Sequence, residues 1–585
     1  MAKKLSGRTW GLASVLAALS LAVGVSVLVR APPPARPSVG SRPSESATLV
    51  ATVRSEPRSF NRLVARDRTS HVVSVLTQGR LIRVNFANHE VEPALAERWT
   101  VSGDGLEYRL ELRRGVRFSD GAPFTSADVV FSFSALYDER VASPLAEAVK
   151  VNGVPLAIEA SGDHGVVVRF PAPFGPGLRI LDVVPILPRH MLEGALREGR
   201  LRNTWGPATD PADIAGLGPF VLQDYRQGEQ LRFARNPYYW RRGPAGEVLP
   251  RLDRLVLTVV PDQNAEVLRL ESGQADLMSA EVRPDDLAGL RRSAQAGRLV
   301  IYDLGVGLDA DFLWFNLAPG FAKAHPDRGW LQQRELREAV SAAVDRRAFA
   351  DTVYLGAGVP VFGPVTPGNR VWHDGSLPAT PHDPTRARRL LASLGLRDGD
   401  GDGQLESRDG RPARFSLLTT KGNSLRERAA QFLQEELRKV GLGVDVVTLE
   451  LPAVIDRVTR GEYDGAYFGL NASDTDPASN LDFWLSSGAF HAWNPNQRAP
   501  ATDWEHQIDD LMQRQVTALS LAERRKLFSD VQRVFAEHLP TIYFVAPRVF
   551  VATSSRVGSV RPALLQPTVL WNADLLTIVE PSGTR

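Results

Sequence analysis

Apolar residues fall into short alternating runs and longer helical stretches along most of the chain. Residues 99–101 and 106–112 alternate apolar and polar positions around the turn 102–105, which predicts two short paired strands. The stretch from Ala127 places its apolar residues on one helical face, and two hydroxyl residues before it can cap a helix. Strands and helices are therefore expected within the same part of the chain.

Two later segments repeat the alternation of helix and strand. Residues 256–278 predict a strand, a helix that stops at Gly273 and a second short strand. Residues 426–451 predict a helix that ends at Gly441 and a strand after it. Such units are typical of α/β proteins.

A polar loop follows an apolar run in the segment 468–487, which reads FGLNASDTDPASNLDFWLSS. The loop carries Asn471, Ser473, Asp474 and Asp476. Loops held between a strand and a helix start often carry functional residues. Taken alone, this carboxylate-bearing loop fits either a binding cleft or reaction chemistry.

Composition narrows the classes of function. The chain has 585 residues with 43% hydrophobic content, enough for two or three domains. Its 69 basic and 67 acidic side chains give a formal net charge of +2, which gives no support to nucleic-acid binding. The absence of cysteine excludes disulfides, zinc thiolate sites, iron–sulfur clusters and cysteine nucleophiles.

The N-terminal segment has the layout of an export signal. Three basic residues precede the uncharged apolar run 9–29, which predicts a signal peptide or a retained membrane anchor in residues 1–30. A buried globular helix is the alternative. No cysteine follows, so a lipoprotein is excluded. Residues 31–47 are rich in Pro and Ser and predict an extended linker.

Catalytic motifs are not evident in the sequence. It contains no His-Glu-x-x-His, no Gly-x-Ser-x-Gly and no phosphate-binding loop, and its ten histidines are scattered. The abundant Asp and Glu leave a glycosidase-type carboxylate pair open, but no position points to one. We expect a protein that is not an enzyme.

One acidic turn resembles a calcium-binding loop. Oxygen ligands alternate with glycine, as in an EF-hand, but the twelfth position is Asp and no helix follows. The candidate ligands are Asp398, Asp400, Asp402, Gln404 and Asp409. An ordinary solvated loop is the preferred interpretation, so we expect no cofactor, with structural Ca²⁺ as the alternative.

Three ordered blocks resemble a known family. They are residues 94–133, containing ERWTVSGDGLEYRLELRRGVRFSDG, residues 217–240, containing LGPF and RNPYYW, and residues 312–349, containing FLWFNLAPG and LREAVSAAVDRRAF. Together they resemble the extracellular or periplasmic solute-binding proteins of ABC transporters, family 5, the peptide/nickel-binding type. The resemblance extends over nearly all of the chain after the linker.

The resemblance implies an α/β fold with two lobes joined by a hinge and an additional domain on the first lobe. The first lobe is expected to be discontinuous, over 48–91, 203–306 and 550–585. The additional domain is expected over 92–202. The second lobe is expected over 307–549.

The resemblance also implies a ligand site in the second lobe. Peptide-binding members pair an Asp with the ligand's α-ammonium, and Asp474 is the position that matches it. Asn471, Ala472 and Ser473 match the residues whose backbone pairs with the ligand. Capping of the following helix is the alternative role for an Asp here, and we assign it to Asp476.

Further ligand contacts are expected on both sides of the cleft. Trp493 and Trp372 lie in loops, where they can clamp an apolar or flat ligand or pack over loop backbone. Thr69, Ser70 and His71 begin a helix at the place of the family's first-lobe contacts, and a helix N-terminus attracts anionic groups. A structural or solvent-facing role is preferred for His71.

The implied function is capture of a solute, by default a short peptide, between closing lobes and delivery to an ABC import permease. The protein is expected to be exported, periplasmic or on the cell surface, and monomeric. Two alternatives stay open: a membrane-anchored receptor that signals on closure, and a secreted hydrolase. Nickel chelates, sugars, haem and small amines are the alternative ligands.

Overall fold

The computed structural model describes residues 47–469 and 474–579. The predicted signal peptide or anchor, residues 1–30, and residues 31–46 of the linker lie outside the described residues. No helix within the described ranges has both the length and the apolar character needed to cross a bilayer.

The strands are, in chain order, β1 Thr48–Val53, β2 Ile82–Val84, β3 Val91–Pro93, β4 Ala96–Val101, β5 Glu107–Leu112, β6 Lys150–Val151, β7 Val154–Pro155, β8 Ala157–Ala160, β9 Gly165–Arg169, β10 Phe220–Arg226, β11 Gln230–Arg235, β12 Arg254–Val259, β13 Leu277–Met278, β14 Leu299–Val306, β15 Phe312–Phe315, β16 Gly358–Pro360, β17 Arg414–Thr420, β18 Gly443–Leu449, β19 Gly465–Phe468, β20 Thr541–Tyr543, β21 Val545–Ser554, β22 Val557–Gly558 and β23 Thr577–Ile578.

The α-helices are α1 Arg68–Thr77, α2 Ser126–Tyr137, α3 Arg189–Arg197, α4 Gln263–Glu271, α5 Pro284–Gln295, α6 Phe321–Ala324, α7 Arg334–Ala343, α8 Arg346–Val353, α9 Pro384–Ser393, α10 Ser424–Arg438, α11 Leu451–Arg460, α12 Leu481–Trp484, α13 Asp503–Thr517 and α14 Leu521–His538.

Three sheets organise these elements. The first lobe contains an eight-stranded sheet in the order β10-β11-β12-β1-β13-β21-β14, with β16 paired to β21. The additional domain contains the antiparallel sheet β4-β5-β9-β8. The second lobe contains the five-stranded sheet β18-β17-β19-β15-β20. The domain boundaries themselves stay a prediction, and β16 with the start of β21 joins the first sheet from the range predicted for the second lobe.

The predicted local elements are confirmed. The hairpin β4–β5 surrounds the turn 102–105, and α2 begins at Ser126, where the Asp128 carboxylate accepts a hydrogen bond from the Thr125 N–H at 2.9 Å. The segment 256–278 forms β12, α4 and β13, and the segment 426–451 contains α10 and β18. Gly441 has φ 88°, a left-handed conformation that suits the chain reversal after α10.

Separate apolar cores lie in the lobes. One core joins the first-lobe sheet to the additional domain, and it includes Leu49, Phe118 and Leu181. The two sides of the second-lobe sheet carry their own cores, one around Phe415 and one around Trp314. Val516 of α13 also belongs to the first of these cores, but the cores are otherwise separate, which permits the lobes to move as units about the segments that connect them.

Besides its passage through β16, the chain crosses between the two large sheets at two neighbouring places. Residues 307–311 connect β14 to β15, and Phe544 connects β20 to β21. The Gly307 N–H donates to the Pro547 carbonyl at 2.8 Å, which ties the two crossings together. Two short adjacent crossings form the structural basis of a hinge.

Candidate functional site

Asp474 lies on the second lobe, six residues after the end of β19. Residues 470–473, which include the predicted contacts Asn471, Ala472 and Ser473, lie outside the described residues. Asp474 itself is described, and its side chain is 24% exposed. Its carboxylate also accepts a hydrogen bond from the Thr475 N–H at 2.5 Å, which fixes its orientation in the loop.

Arg179 pairs with Asp474 from the other side of the cleft. Arg179 belongs to a 3-10 helix, Gly177–Val183, whose Leu178 and Leu181 pack in the core of the first lobe and additional domain. Its Nε donates to Oδ2 of Asp474 at 2.5 Å, and one terminal nitrogen donates to Oδ1 at 2.5 Å. The pair is therefore bidentate and connects the two lobes.

The guanidinium of Arg179 is held by a further partner. Its second terminal nitrogen donates to the His89 carbonyl at 2.6 Å, and its side chain is 11% exposed. His89 has φ 64°, a left-handed conformation that is uncommon for a residue other than glycine. Burial and the charge of Arg179 lower the pKa of His89. Hydrogen bonds to Asp474 and to the His89 carbonyl thus fix the position of the Arg179 guanidinium.

Asp476 has the capping role predicted for it. Its carboxylate accepts a hydrogen bond from the Ala478 N–H at 3.0 Å and caps the 3-10 helix Pro477–Asn480. It also forms a bidentate pair with Arg524 at 2.9 and 2.7 Å, in which both side chains are buried. The two aspartates of the loop therefore have separate environments, one at the cleft and one in the protein interior.

A cavity of about 90 Å³ adjoins Asp474 within the second lobe. Its walls are mostly aromatic and aliphatic, and its polar edge carries carboxylates and amides. The lining residues are Leu308, Asp309, Ala310, Phe312, Pro364, Val365, Asn369, Asp474, Thr475, Asp476, Pro477, Asn480, Phe483, Trp484, Phe528 and Tyr543. An apolar cavity with a few polar groups at its edge is typical of a ligand site.

The loop 361–373 forms the opposite wall of this cavity. Its Asn369 side chain donates to the Thr475 carbonyl at 2.8 Å, which joins this wall to the Asp474 loop. The side-chain oxygen of Asn369 is buried and has no hydrogen-bond partner among residues 47–469 and 474–579. A buried acceptor at the edge of a cavity is a natural partner for a donor group on a ligand.

Both loop tryptophans are buried, which agrees with the packing alternative and not with a clamp on a ligand. Trp493 is 1% exposed and donates to the Glu505 carboxylate at 3.3 Å. Trp372 is 5% exposed, and the Arg524 guanidinium lies 5.0 Å from its ring centre. Both rings lie in the aromatic core of the second lobe, because loops that cross this core need large apolar side chains to cover it. Neither ring lines the cavity beside Asp474.

The hydroxyl groups in the first turn of α1 form hydrogen bonds with the neighbouring backbone. Thr69 donates to the Ser55 carbonyl at 2.8 Å, and the Ser70 hydroxyl accepts from two backbone N–H groups of the loop 58–59. Asp67 caps the helix and already places a carboxylate at its N-terminus. Burial lowers the pKa of His71 well below 6.5, so its imidazole is neutral at pH 7. None of the three predicted contacts lines the described cavity.

Asp182 adds an unusual charge close to the Arg179 pair. Burial, partly opposed by Arg80 and reinforced by the charge of Asp474, raises the pKa of Asp182 to about 6. Nε of Arg80 donates to the backbone carbonyl of Asp182 at 2.8 Å. The cleft therefore holds one ion pair, Arg179–Asp474, and one carboxyl group, Asp182, whose ionisation is opposed by burial.

The acidic loop brings together three of its five candidate ligands. Carboxylate oxygens of Asp398, Asp400 and Asp402 lie within 4.8 Å of one another, and all three side chains are exposed. The Gln404 amide donates instead to the carbonyls of Ala413 and Gly441, and Asp409 pairs with Arg411. Both interpretations, a solvated loop without a cofactor and the alternative of structural calcium, stay predictions.

A second depression lies on the first lobe and has a different character. It is an open groove of about 670 Å³ between the 3-10 helix Pro211–Asp213 and the strand β10, lined by Asp120, Asp224 and Arg226 among others. None of the predicted site residues lines it. Its exposed, mixed charges make it a weaker candidate for a ligand than the cavity beside Asp474.

Two functional candidates were missed by the sequence. Arg179 is separated from Asp474 by 295 positions, and Arg524 is separated from Asp476 by 48. The chain contains 69 basic residues, and no local pattern marks these two. A pairing across the cleft depends on tertiary structure, which explains why sequence spacing could not reveal it.

The sequence is similar over most of its length to known bacterial proteins. The sequence model of one family, the bacterial extracellular solute-binding proteins, family 5, matches residues 90–492. A probable ABC transporter-binding protein of Deinococcus radiodurans is 26% identical over 524 residues, which cover 86% of this chain and 87% of the relative. A probable di/tripeptide-binding protein of Pseudomonas aeruginosa is 26% identical over 540 residues, 89% of this chain and 94% of the relative.

A solved structure has the same architecture. The oligopeptide-binding protein AppA from Bacillus subtilis, in complex with a nonapeptide, superposes with a TM-score of 0.69 at 23% identity and covers 92% of this chain and all of that chain. This likeness supports the fold alone. The predicted two-lobed α/β fold is confirmed.

Proposed function

The chain belongs to the bacterial extracellular solute-binding proteins of family 5, and on that premise we propose that it captures a short peptide between its lobes and delivers it to an ATP-driven import permease. The observation that carries the proposal is a carboxylate, Asp474, at the edge of an aromatic cavity beside the cleft. The relatives from Deinococcus and Pseudomonas support the transport role and the peptide class, respectively.

Asp474 is the proposed partner of the peptide's α-ammonium. A carboxylate enclosed by two lobes is shielded from solvent, so its pair with an ammonium is worth more than an exposed pair. The adjoining cavity suits an apolar side chain of the peptide, because its walls are aromatic. Asn471, Ala472 and Ser473 are the proposed partners of the peptide main chain.

Binding needs no bond chemistry under this proposal. The ligand contacts both lobes, so it binds the closed form more tightly than the open form and shifts the hinge equilibrium toward closure. The closed protein then docks on the permease and releases its cargo. The family is a solute-binding family of transport proteins, which supports this role over that of a hydrolase.

The proposal places the mature protein outside the cytoplasm. Residues 1–30 are the proposed signal peptide or membrane anchor, and residues 31–47 the linker. A permease and an ATPase encoded beside this chain are expected if it serves import. A neighbouring sensor protein without a permease would favour the signalling alternative.

The test of the ligand class is mass spectrometry of material released by denaturing the protein after purification without added ligand. We expect masses of short peptides. A nickel chelate, a sugar or haem in stoichiometric amount would overturn the peptide assignment and leave the family assignment intact. Turnover of a peptide or glycoside by the purified protein would overturn the binding role itself.

Replacing Asp474 tests the site. Asp474→Asn removes the charge but keeps the shape, so trialanine is expected to bind about 10- to 100-fold more weakly by calorimetry. N-acetyltrialanine, which has no ammonium, is expected to lose less affinity than trialanine, because it loses no ion pair with Asp474. Asp482→Asn changes an exposed aspartate on the next helix and is the matched control. Equal trialanine affinity in Asp474→Asn and the parent protein would remove Asp474 from the site.

A further inference from the structure

The Arg179–Asp474 pair occupies the carboxylate that the proposed function assigns to the ligand. Both oxygens of Asp474 accept hydrogen bonds from Arg179, each at 2.5 Å. The two side chains are 11% and 24% exposed, so the pair is largely shielded from solvent. A guanidinium of the protein therefore stands where a ligand ammonium would have to bind.

The pair is anchored on both sides of the cleft. The Arg179 guanidinium also donates to the His89 carbonyl at 2.6 Å and to the Thr475 hydroxyl at 3.3 Å. The Asp474 carboxylate also accepts from the Thr475 N–H. Both groups are held in the geometry of the pair by neighbours on their own lobe, so forming the pair costs little additional ordering.

Other contacts between the lobes surround this pair. The Gly175 N–H donates to the Val516 carbonyl at 2.6 Å, close in sequence to Arg179. Arg428 of α10 pairs with Asp285 of α5 at 2.9 Å, with side-chain exposures of 31% and 39%. These contacts also join the lobes, and the Arg179 pair is less exposed to solvent than the Arg428 pair.

We propose that Arg179 is an internal competitor for Asp474 that determines which ligands bind: it holds the lobes together in the free protein, and a cationic group of the ligand must displace it. The proposal rests on the proposed function in one respect, the assignment of Asp474 to the ligand's ammonium. Its conformational part rests on the geometry of the Arg179–Asp474 pair alone.

Because the ligand must displace Arg179, its affinity depends on how much stronger its own pair with Asp474 is than the Arg179–Asp474 pair. A ligand ammonium gains the Asp474 carboxylate only when the guanidinium gives it up. A ligand without a cation leaves the Arg179–Asp474 pair in place, so its binding does not include the free energy of breaking that pair. Arg179 thus reduces the preference for free-amine ligands and excludes weak cations from the site.

The conformational test measures the distance between the lobes without ligand. The chain has no cysteine, so Ser134→Cys on α2 and Gln431→Cys on α10 give a uniquely labelled fluorescent pair. In Arg179→Gln we expect lower energy transfer than in the parent, and in Arg179→Lys an intermediate value. Arg428→Gln removes the more exposed pair and is the matched control, with a smaller expected change.

The specificity test compares trialanine with N-acetyltrialanine by calorimetry. The ratio of their affinities cancels the contribution of lobe closure, which both ligands share. In Arg179→Gln we expect this ratio to rise about tenfold in favour of trialanine. In Arg428→Gln we expect it to stay constant. In an Asp474→Asn background, Arg179→Gln is expected to leave the ratio unchanged, because the shared carboxylate charge is gone.

Three outcomes would overturn the proposal. Unchanged energy transfer in unliganded Arg179→Gln, or an equal loss in Arg428→Gln, would show that this pair does not hold the lobes together. A constant affinity ratio would show that Arg179 does not compete. Equal weakening of both peptides in Arg179→Gln leaves this ratio constant and therefore also counts against competition. If neither peptide binds any variant, the peptide assignment fails and the energy-transfer result alone decides the conformational part.

Discussion

Burial opposes the ionisation of the Asp182 carboxyl group at neutral pH. Burial raises its pKa from 3.8 to about 6, so the folded protein binds a proton there more readily than the unfolded chain does. Stability from this group is therefore greatest below about pH 4 and is lost as the pH rises through 6.

Asp182→Asn is expected to stabilise the protein at pH 7. The asparagine needs no ionisation, so the free energy of unfolding should rise by about 2–3 kcal/mol, and the gain should vanish below about pH 4. Urea denaturation at a series of pH values measures it, with the exposed Asp213→Asn as control. A difference that is independent of pH would show that the cause is packing and not ionisation.

Side-chain roles could be predicted where they depend on neighbours in sequence. Asp476 caps the segment two residues ahead of it, and the sequence showed both the cap and the proline that follows. Trp372 and Trp493 were placed in loops correctly but not in depth, because loop position does not determine whether a large ring packs inward. The Arg179 pair needed the tertiary structure, since its partners meet only when two lobes face each other.

The acidic loop 398–409 shows how an element can satisfy its own charges. The Asp398 carboxylate accepts hydrogen bonds from the Gly401 and Gly403 N–H groups at 2.7 and 3.1 Å. Glycine at both positions has positive φ, 85° and 89°, which lets the backbone turn toward the carboxylate. Calcium prefers six to eight oxygen ligands, and the loop gathers three exposed carboxylates.

Calcium at about 1 mM is expected to leave the melting temperature unchanged to within about 1 °C, because so incomplete a site gives little binding free energy. Differential scanning fluorimetry with and without a chelator measures the effect. Asp400→Asn serves as the paired variant. A calcium-dependent rise in melting temperature that disappears in Asp400→Asn would establish the site as a structural calcium loop.

Helices and strands were largely predictable because their signals are local. Alternation gave β4 and β5, and apolar spacing with a glycine stop gave α4 and α10. The order of strands within each sheet has no such local signal. β21, for example, pairs with β14 and β16, which lie far away in sequence, so the eight-stranded sheet could be seen only in the structure.

At the scale of the whole molecule, one loop connects the hinge to the cavity. Loop 361–373 lines the cavity with Val365 and Asn369. The same loop rests on the first crossing between the lobes, where the Thr366 hydroxyl donates to the Gly307 carbonyl at 2.5 Å. Motion about the hinge and the shape of the cavity are therefore mechanically linked.

At Gly368 the loop 361–373 packs closely against the backbone of residues 306–307. A Cβ atom there would lie 2.2 Å from the Val306 carbonyl oxygen and 2.7 Å from that of Gly307. Both are backbone atoms of the crossing, which cannot rotate away as a side chain can. Gly368→Ala is expected to push the loop off the hinge and to lower the free energy of unfolding by about 1–3 kcal/mol.

The same methyl group should weaken ligand binding, because Asn369 is the next residue and its amide joins the loop to Thr475. Gly363→Ala is the matched control: its Cβ would meet nothing closer than a Leu377 carbon at 4.0 Å, so stability should change by less than about 0.5 kcal/mol. Urea denaturation and trialanine calorimetry on both variants measure the two effects. If Gly368→Ala loses stability but binds normally, the loop supports the hinge without shaping the site. If it behaves like Gly363→Ala in both measurements, the crossing is compliant and the proposed link between hinge and cavity is wrong.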